Sequence, residues 1–144
     1  MKRNFRTLRV HEVMTSTPVT VSLEDSLKHA LDLLDKHQVH QLPVVEPSGR
    51  LIGIVTQGDL KLLTPVYPLF PAQEEIRQAL RELKVAHAMT LEPVVISPEA
   101  TLLEATKLLF EHRIGSLLVT EGERLLGLLS VSDVLRVVIE QHET

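Results

Sequence analysis

Apolar residues recur along this chain in two rhythms. Leu27, Ala30, Leu31 and Leu34 fall at i, i+3, i+4 and i+7, the spacing of one helix face, and Leu102, Ala105, Thr106 and Leu109 repeat that stripe. Short continuous apolar runs follow each stripe. Leu42-Pro-Val-Val45 and Leu117-Leu-Val-Thr120 predict buried strands, and Leu51-Ile-Gly-Ile-Val55 and Leu125-Leu-Gly-Leu-Leu129 predict their hairpin partners. Pro47-Ser-Gly49 and Glu121-Gly-Glu123 supply the turns between them. Ahead of the first stripe, Thr17-Pro-Val-Thr-Val21 is extended, because β-branched residues follow a proline. Residues Ser22 to Ser26 offer helix N-caps, and further helices are expected over about 58–63 and 132–141. The order in each half is strand, helix, strand, strand, helix.

The halves are copies. With a shift of 75, Met14–Glu46 falls on Met89–Glu121 with fourteen identities in 33 pairs, among them Met-Thr, Pro-Val and His37 with His112. After one deletion, Gly53 meets Gly127 and Asp59 meets Asp133. A period this long exceeds that of solenoid repeats, about 20–50 residues, so two small domains are expected. Each is near the lower size limit for a core of its own, which predicts copies packed together about a pseudo-twofold axis. The boundaries read as a first domain at 8–63, a proline-rich loop with a connecting helix at 64–84, and a second domain at 85–142. Thr64-Pro-Val-Tyr-Pro-Leu-Phe-Pro71 cannot be helical. The amphipathic stretch 72–84, with Ile76, Ala79, Leu80 and Leu83 on one face, reads as a packed connector, or as a lid or partner-binding helix. The cores should hold Leu27, Ala30, Leu34, Val44, Ile52 and Val55, with Leu102, Ala105, Leu109, Val119, Leu126 and Leu129 as their equivalents.

Composition narrows the functions. Of 144 residues, 44% are hydrophobic and 24% charged, the balance of a core-forming chain. A net charge of -4 and only four aromatic residues (Phe5, Tyr67, Phe70, Phe110) argue against nucleic acid and anionic membranes as partners. No cysteine is present, so thiolate metal sites and cysteine nucleophiles are excluded. No apolar stretch reaches about 18 residues, and no signal core follows the basic start, so a cytoplasmic protein is expected. Phosphate-loop, dinucleotide, nucleophile-elbow and zinc-protease motifs are all missing, and no carboxylate pair stands apart. No catalytic residue is assigned. No metal site is assigned either: His37 and His40 lie three apart, but Gly115 stands where the second copy would need its counterpart of His40.

The doubled motif is Gly53-Ile-Val-Thr56-Gln-Gly-Asp59 and Gly127-Leu-Leu-Ser130-Val-Ser-Asp133. A capping box accounts for the hydroxyl and the carboxylate. It leaves the strand glycine unexplained, and glycine there permits close approach of a backbone or a ligand. A helix N-terminus attracts phosphate, and a carboxylate accepts bonds from ribose hydroxyls.

On these residues the chain resembles a tandem pair of CBS domains, a Bateman module. Val13-Met14-Thr15, His40-Gln-Leu-Pro-Val-Val45, Ala88-Met-Thr90 and Arg113-Ile-Gly-Ser-Leu-Leu-Val119 extend the match over about residues 10–138. The match departs at Leu118, where the family usually has proline. The resemblance implies a mixed α/β (α+β) fold of two pseudo-twofold-related domains, each a small three-stranded sheet with two helices. It implies adenosine-containing regulatory ligands, AMP, ADP, ATP or S-adenosylmethionine, and no other cofactor. It places Thr20, Val21, His40, Gln41 and Leu42 with Ser130 and Asp133 around one ligand. Thr56 and Asp59 go with Val95, Ile96, Ser116 and Leu117 around a second, His40 and Gln41 lying where relatives contact phosphate. Gly115-Ser116 offers less positive charge than His40-Gln41, which predicts unequal sites. The implied function is a sensing module acting on an unidentified regulated protein or through its own oligomer, a homodimer. The alternative is a structural or dimerisation module with vestigial pockets. The proline-rich connector is similar to that of stand-alone acetoin-utilisation proteins of this family.

Overall fold

The computed structural model describes residues 4–63 and 73–143. The proline-rich loop at 64–71 and the first residue of the connecting helix lie outside the described residues. In chain order the elements are α1 (Val10–Val13), β1 (Thr15–Ser16), α2 (Leu27–His37), β2 (Gln41–Val45), β3 (Leu51–Thr56), α3 (Gln57–Leu63) and α4 (Gln73–Glu82). Then come α5 (Val85–Ala88), β4 (Thr90–Leu91), β5 (Val95–Ile96), α6 (Leu102–His112), β6 (Ser116–Glu121), β7 (Arg124–Ser130) and α7 (Val131–His142). The two long stripe helices start where hydroxyl caps stand. Ser26 accepts the His29 amide at 3.0 Å, and Thr101 accepts the Glu104 amide at 3.1 Å. Both end on a left-handed residue, Gln38 and Arg113, so neither needs the usual glycine.

These elements form two compact units. One is Val19–Glu92, the mid-chain unit; the other joins the segment up to Pro18 with the chain from Pro93, the terminal unit. The mid-chain unit carries the sheet β2-β3-β4 over a core of Leu27, Ala30, Leu34, Leu42, Val44, Val55, Leu60 and Val85. The terminal unit carries β1-β7-β6-β5 over Val10, Leu102, Ala105, Leu109, Leu117, Val119, Leu129 and Val137. The helical stripes therefore face the cores as their spacing predicts. Ile52 and Leu126 do not: both are only half-buried, because each sits on the strand face opposite Gly53-Val55 and Gly127-Leu129.

The short lead-in segments are exchanged. β1, which precedes the first copy in sequence, pairs antiparallel with β7 of the second copy, with Ser16 opposite Gly127. β4, which precedes the second copy, pairs with β3 of the first, with Leu91 opposite Gly53. The chain crosses between units just after two left-handed residues before proline, Thr17 (φ +50°) and Glu92 (φ +54°). The expected extended segment at 17–21 thus follows β1, starts on the left-handed Thr17 and pairs only through a single parallel bridge from Val21 to Val44.

A close approach explains the strand glycines. A Cβ on Gly53 would lie 2.6 Å from the Thr90 carbonyl oxygen, and one on Gly127 would lie 2.7 Å from that of Thr15. What approaches is the backbone of the exchanged strand, joined at Gly127 by the Met14 side chain, whose Sδ would lie 2.6 Å away.

The sheets differ by one strand at the position where the sequence departs from its own repeat. Leu118 donates its amide to the Val94 carbonyl at 3.2 Å, which lets β5 run parallel to β6 as a fourth strand. Its counterpart Pro43 has no amide to donate, so the mid-chain unit has only the Val21 bridge there and keeps three strands.

Candidate functional site

Each unit brings a hydroxyl, a carboxylate and a strand start to one end of its sheet. In the mid-chain unit, β2 and β3 are registered so that Gln41 lies opposite Thr56, and Leu42 opposite Val55. In the terminal unit, Ser116 lies opposite Ser130, and Leu117 opposite Leu129. The first amide of the following helix closes each corner: Gln57 donates to the His40 carbonyl and Val131 to the Gly115 carbonyl, both at 2.9 Å.

At these corners the capping box is formed twice. The Thr56 amide donates to Asp59 Oδ2 at 3.0 Å, and the Asp59 amide to Thr56 Oγ1 at 3.1 Å. The Ser130 amide donates to Asp133 Oδ2 at 2.9 Å, and the Asp133 amide to Ser130 Oγ at 3.1 Å. These bonds hold both carboxylates in fixed rotamers beside a helix N-terminus, a partly positive environment.

The two carboxylates are otherwise unlike. Asp59 is half-buried, and its Oδ1 has no partner among the described residues. Asp133 is 5% exposed, and its Oδ1 lies 3.3 Å from Arg136 Nη1. The doubled motif marks Asp133 but not Arg136, a basic residue one turn further along α7.

Other expected site residues divide by burial. Val21, Leu42, Ile96 and Leu117 belong to the hydrophobic cores, so they can offer a ligand backbone and little side chain. Thr20 and Gln41 are half-buried, and Val95 is exposed. His40 is exposed, with Nδ1 3.4 Å from Gln57 Oε1, and it lines a depression of about 280 Å³ with Leu31, Leu34, Asp35, Val39 and Gln57. None of the other expected residues lines it.

Ser116 is the site's anomaly. Its hydroxyl is buried and makes no hydrogen bond among the described residues. A buried hydroxyl left unpaired costs about 1–3 kcal/mol, so this oxygen is a position where a ligand's polar group would be stabilising. No sequence signal marks it as unpaired, since that depends on what surrounds it in three dimensions. Among the described residues, no group of three or more His, Asp or Glu side chains could hold a metal ion, and no helix is long and apolar enough to cross a membrane.

The family model described as "CBS domain" matches residues 10–63 and 80–140. A CBS domain-containing protein of Dictyostelium discoideum is 36% identical over 136 residues, covering 93% of both chains. Among solved structures, the Vibrio cholerae protein AcuB, named for acetoin utilization, is 28% identical with a TM-score of 0.78, covering 92% of this chain and 91% of its own. CBSX2 of Arabidopsis thaliana, solved in complex with AMP, is 25% identical with a TM-score of 0.78, covering 94% of this chain and 99% of its own. Other relatives are much longer: the chain spans 23% of the inosine-5'-monophosphate dehydrogenase of Aquifex aeolicus, at 30% identity.

Proposed function

The chain belongs to the CBS-domain family as a tandem pair, and from that premise we propose that it is a regulatory module sensing an adenosine-containing small molecule. AMP, ADP, ATP and S-adenosylmethionine are the candidate ligands, and the response passes to a partner protein or through the module's own oligomer. The observation that carries the reading is the buried Ser116 hydroxyl, unpaired among the described residues: the resemblance groups Ser116 with Thr56 and Asp59, and within its own unit it lies opposite Ser130. A core needs no such group; a ribose, base or phosphate edge would satisfy it. AMP bound to the similar CBSX2 supports the same ligand class. Thr56 and Asp59 form the equivalent corner in the other unit, which the Gln57 amide closes by donating to the His40 carbonyl.

A thermal-shift series with AMP, ADP, ATP and S-adenosylmethionine, with GMP as comparator, tests this. At ligand 100-fold above Kd, a specific binder is stabilised by about 2.7 kcal/mol, which raises Tm by several degrees in a chain of this size. No shift with any of them at millimolar concentration would leave the structural alternative standing. That reading has its own observation: both carboxylates already serve as caps.

We also propose a homodimer. α7 exposes Val131, Leu135, Val138 and Ile139 at i, i+4, i+7 and i+8, the last at 56% exposure. That is a continuous apolar stripe. Light scattering is expected to give twice the chain mass at micromolar concentration, and a monomer there would overturn the assignment.

A further inference from the structure

We infer that Arg136 is a specificity-determining latch: it holds the Asp133 carboxylate closed, so that the two units read a ribose with unequal strength. The inference rests on the nucleotide-sensing reading above and adds a residue outside the doubled motif. A ribose diol needs a carboxylate with accessible oxygens. Asp133 has none at rest. Oδ2 accepts the Ser130 amide at 2.9 Å, Oδ1 lies 3.3 Å from the Arg136 guanidinium, and the residue is 5% exposed. Arg136 is itself anchored, since its Nη2 donates to the Val13 carbonyl at 3.4 Å, at the end of α1 on the exchanged N-terminal segment. The guanidinium is thus held over the carboxylate from a second element and does not simply trail along its own helix.

The mid-chain unit lacks this arrangement. Three residues after Asp59 stands Leu62, which has no charge, and the half-buried Asp59 has no partner for Oδ1 among the described residues. A ligand reaching Asp59 displaces water. A ligand reaching Asp133 must first displace a guanidinium. The Arg136 side chain is 56% exposed, so the displaced group can swing into solvent. The barrier is therefore graded: a half-exposed ion pair corresponds to at most about a fivefold change in an equilibrium constant. The rank of the two carboxylate corners for a ribose therefore depends on Arg136.

The test isolates the Asp133 corner in the Asp59→Ala background and titrates adenosine, which carries no charge to confuse the comparison. Arg136→Gln is expected to tighten adenosine binding about two- to fivefold, and Arg136→Lys, a single-point donor, to fall between. Raising ionic strength is expected to tighten binding to the arginine protein and to leave the glutamine variant unchanged, because only the former breaks a screened ion pair. Equal affinity of the arginine and glutamine proteins, or weaker binding by the variant, overturns the latch alone. Binding of neither adenosine nor AMP by any of the proteins overturns the sensing reading and the latch with it.

Discussion

Replacing Gly53 and Gly127 together by alanine is expected to cost about 2–6 kcal/mol, a large share of the roughly 5–15 kcal/mol that stabilises a typical domain. Each added methyl would sit under 3 Å from a carbonyl oxygen of the exchanged strand, that of Thr90 in one unit and of Thr15 in the other. A backbone in a ladder cannot give way as a side-chain tip can, so β4 or β1 must move off its partner. Each single change should cost about 1–3 kcal/mol, and the two should add, because the neighbours of Gly53 (Thr90, Met89) and of Gly127 (Met14, Thr15) are different residues. Gly49 and Gly122 provide the contrast. Their Cβ positions are open, but φ is +93° and +62°, so their role is conformational. Asparagine, which tolerates the left-handed region, should cost well under 1 kcal/mol at Gly122. Urea unfolding of the four variants measures all of this. Single alanine variants within about 0.5 kcal/mol of the parent would mean that the exchanged strands are not held where the structure puts them.

The same glycines mark the boundary of what the sequence discloses. Their spacing from Thr56/Asp59 and Ser130/Asp133 was legible, and so were the helix stripes, because hydrophobic periodicity and capping chemistry are local. Which backbone the glycines admit was not legible. Met14-Thr15 and Met89-Thr90 are identical, so nothing local tells β1 whether to pair with the strand of its own copy or that of the other. The boundary between the repeats in sequence therefore differs from the boundary between units in space. The fourth strand was legible in principle: Leu118 against Pro43 is an amide present against an amide absent, and the ladder follows from it. Leu60 and Val85 join the mid-chain core as their repeat equivalents Val134 and Val10 join the terminal one, although neither lies on a helix stripe or in a hairpin strand. At the candidate site the legible part was the capping pair. The Arg136 anchor joins segments distant in sequence, and the Ser116 hydroxyl, unpaired among the described residues, shows only once the fold is formed.

Removing both carboxylates, Asp59→Ala with Asp133→Ala, is expected to lower adenine-nucleotide affinity by tenfold or more at each site, the second of the two largest effects. A charge-assisted bond to a ribose hydroxyl is worth about 1.5–3 kcal/mol, and 1.4 kcal/mol is a factor of ten. The two residues should fail differently. Asp59 is half-buried, with no partner for Oδ1 among the described residues, so its loss should appear mainly as lost affinity, with about 1 kcal/mol of capping stability. Asp133 is buried, and its loss leaves the Ser130 amide and the Arg136 guanidinium without their acceptor, so its stability cost should exceed that of Asp59. Calorimetric titration with AMP or ATP reads the affinity, and unfolding without ligand reads the capping term separately. Both variants must be compared at temperatures where each remains folded. Unchanged nucleotide affinity in the folded double variant would show that the carboxylates act only as caps. The sensing function would then need other residues, and the doubled motif would be explained by helix capping and by strand exchange alone.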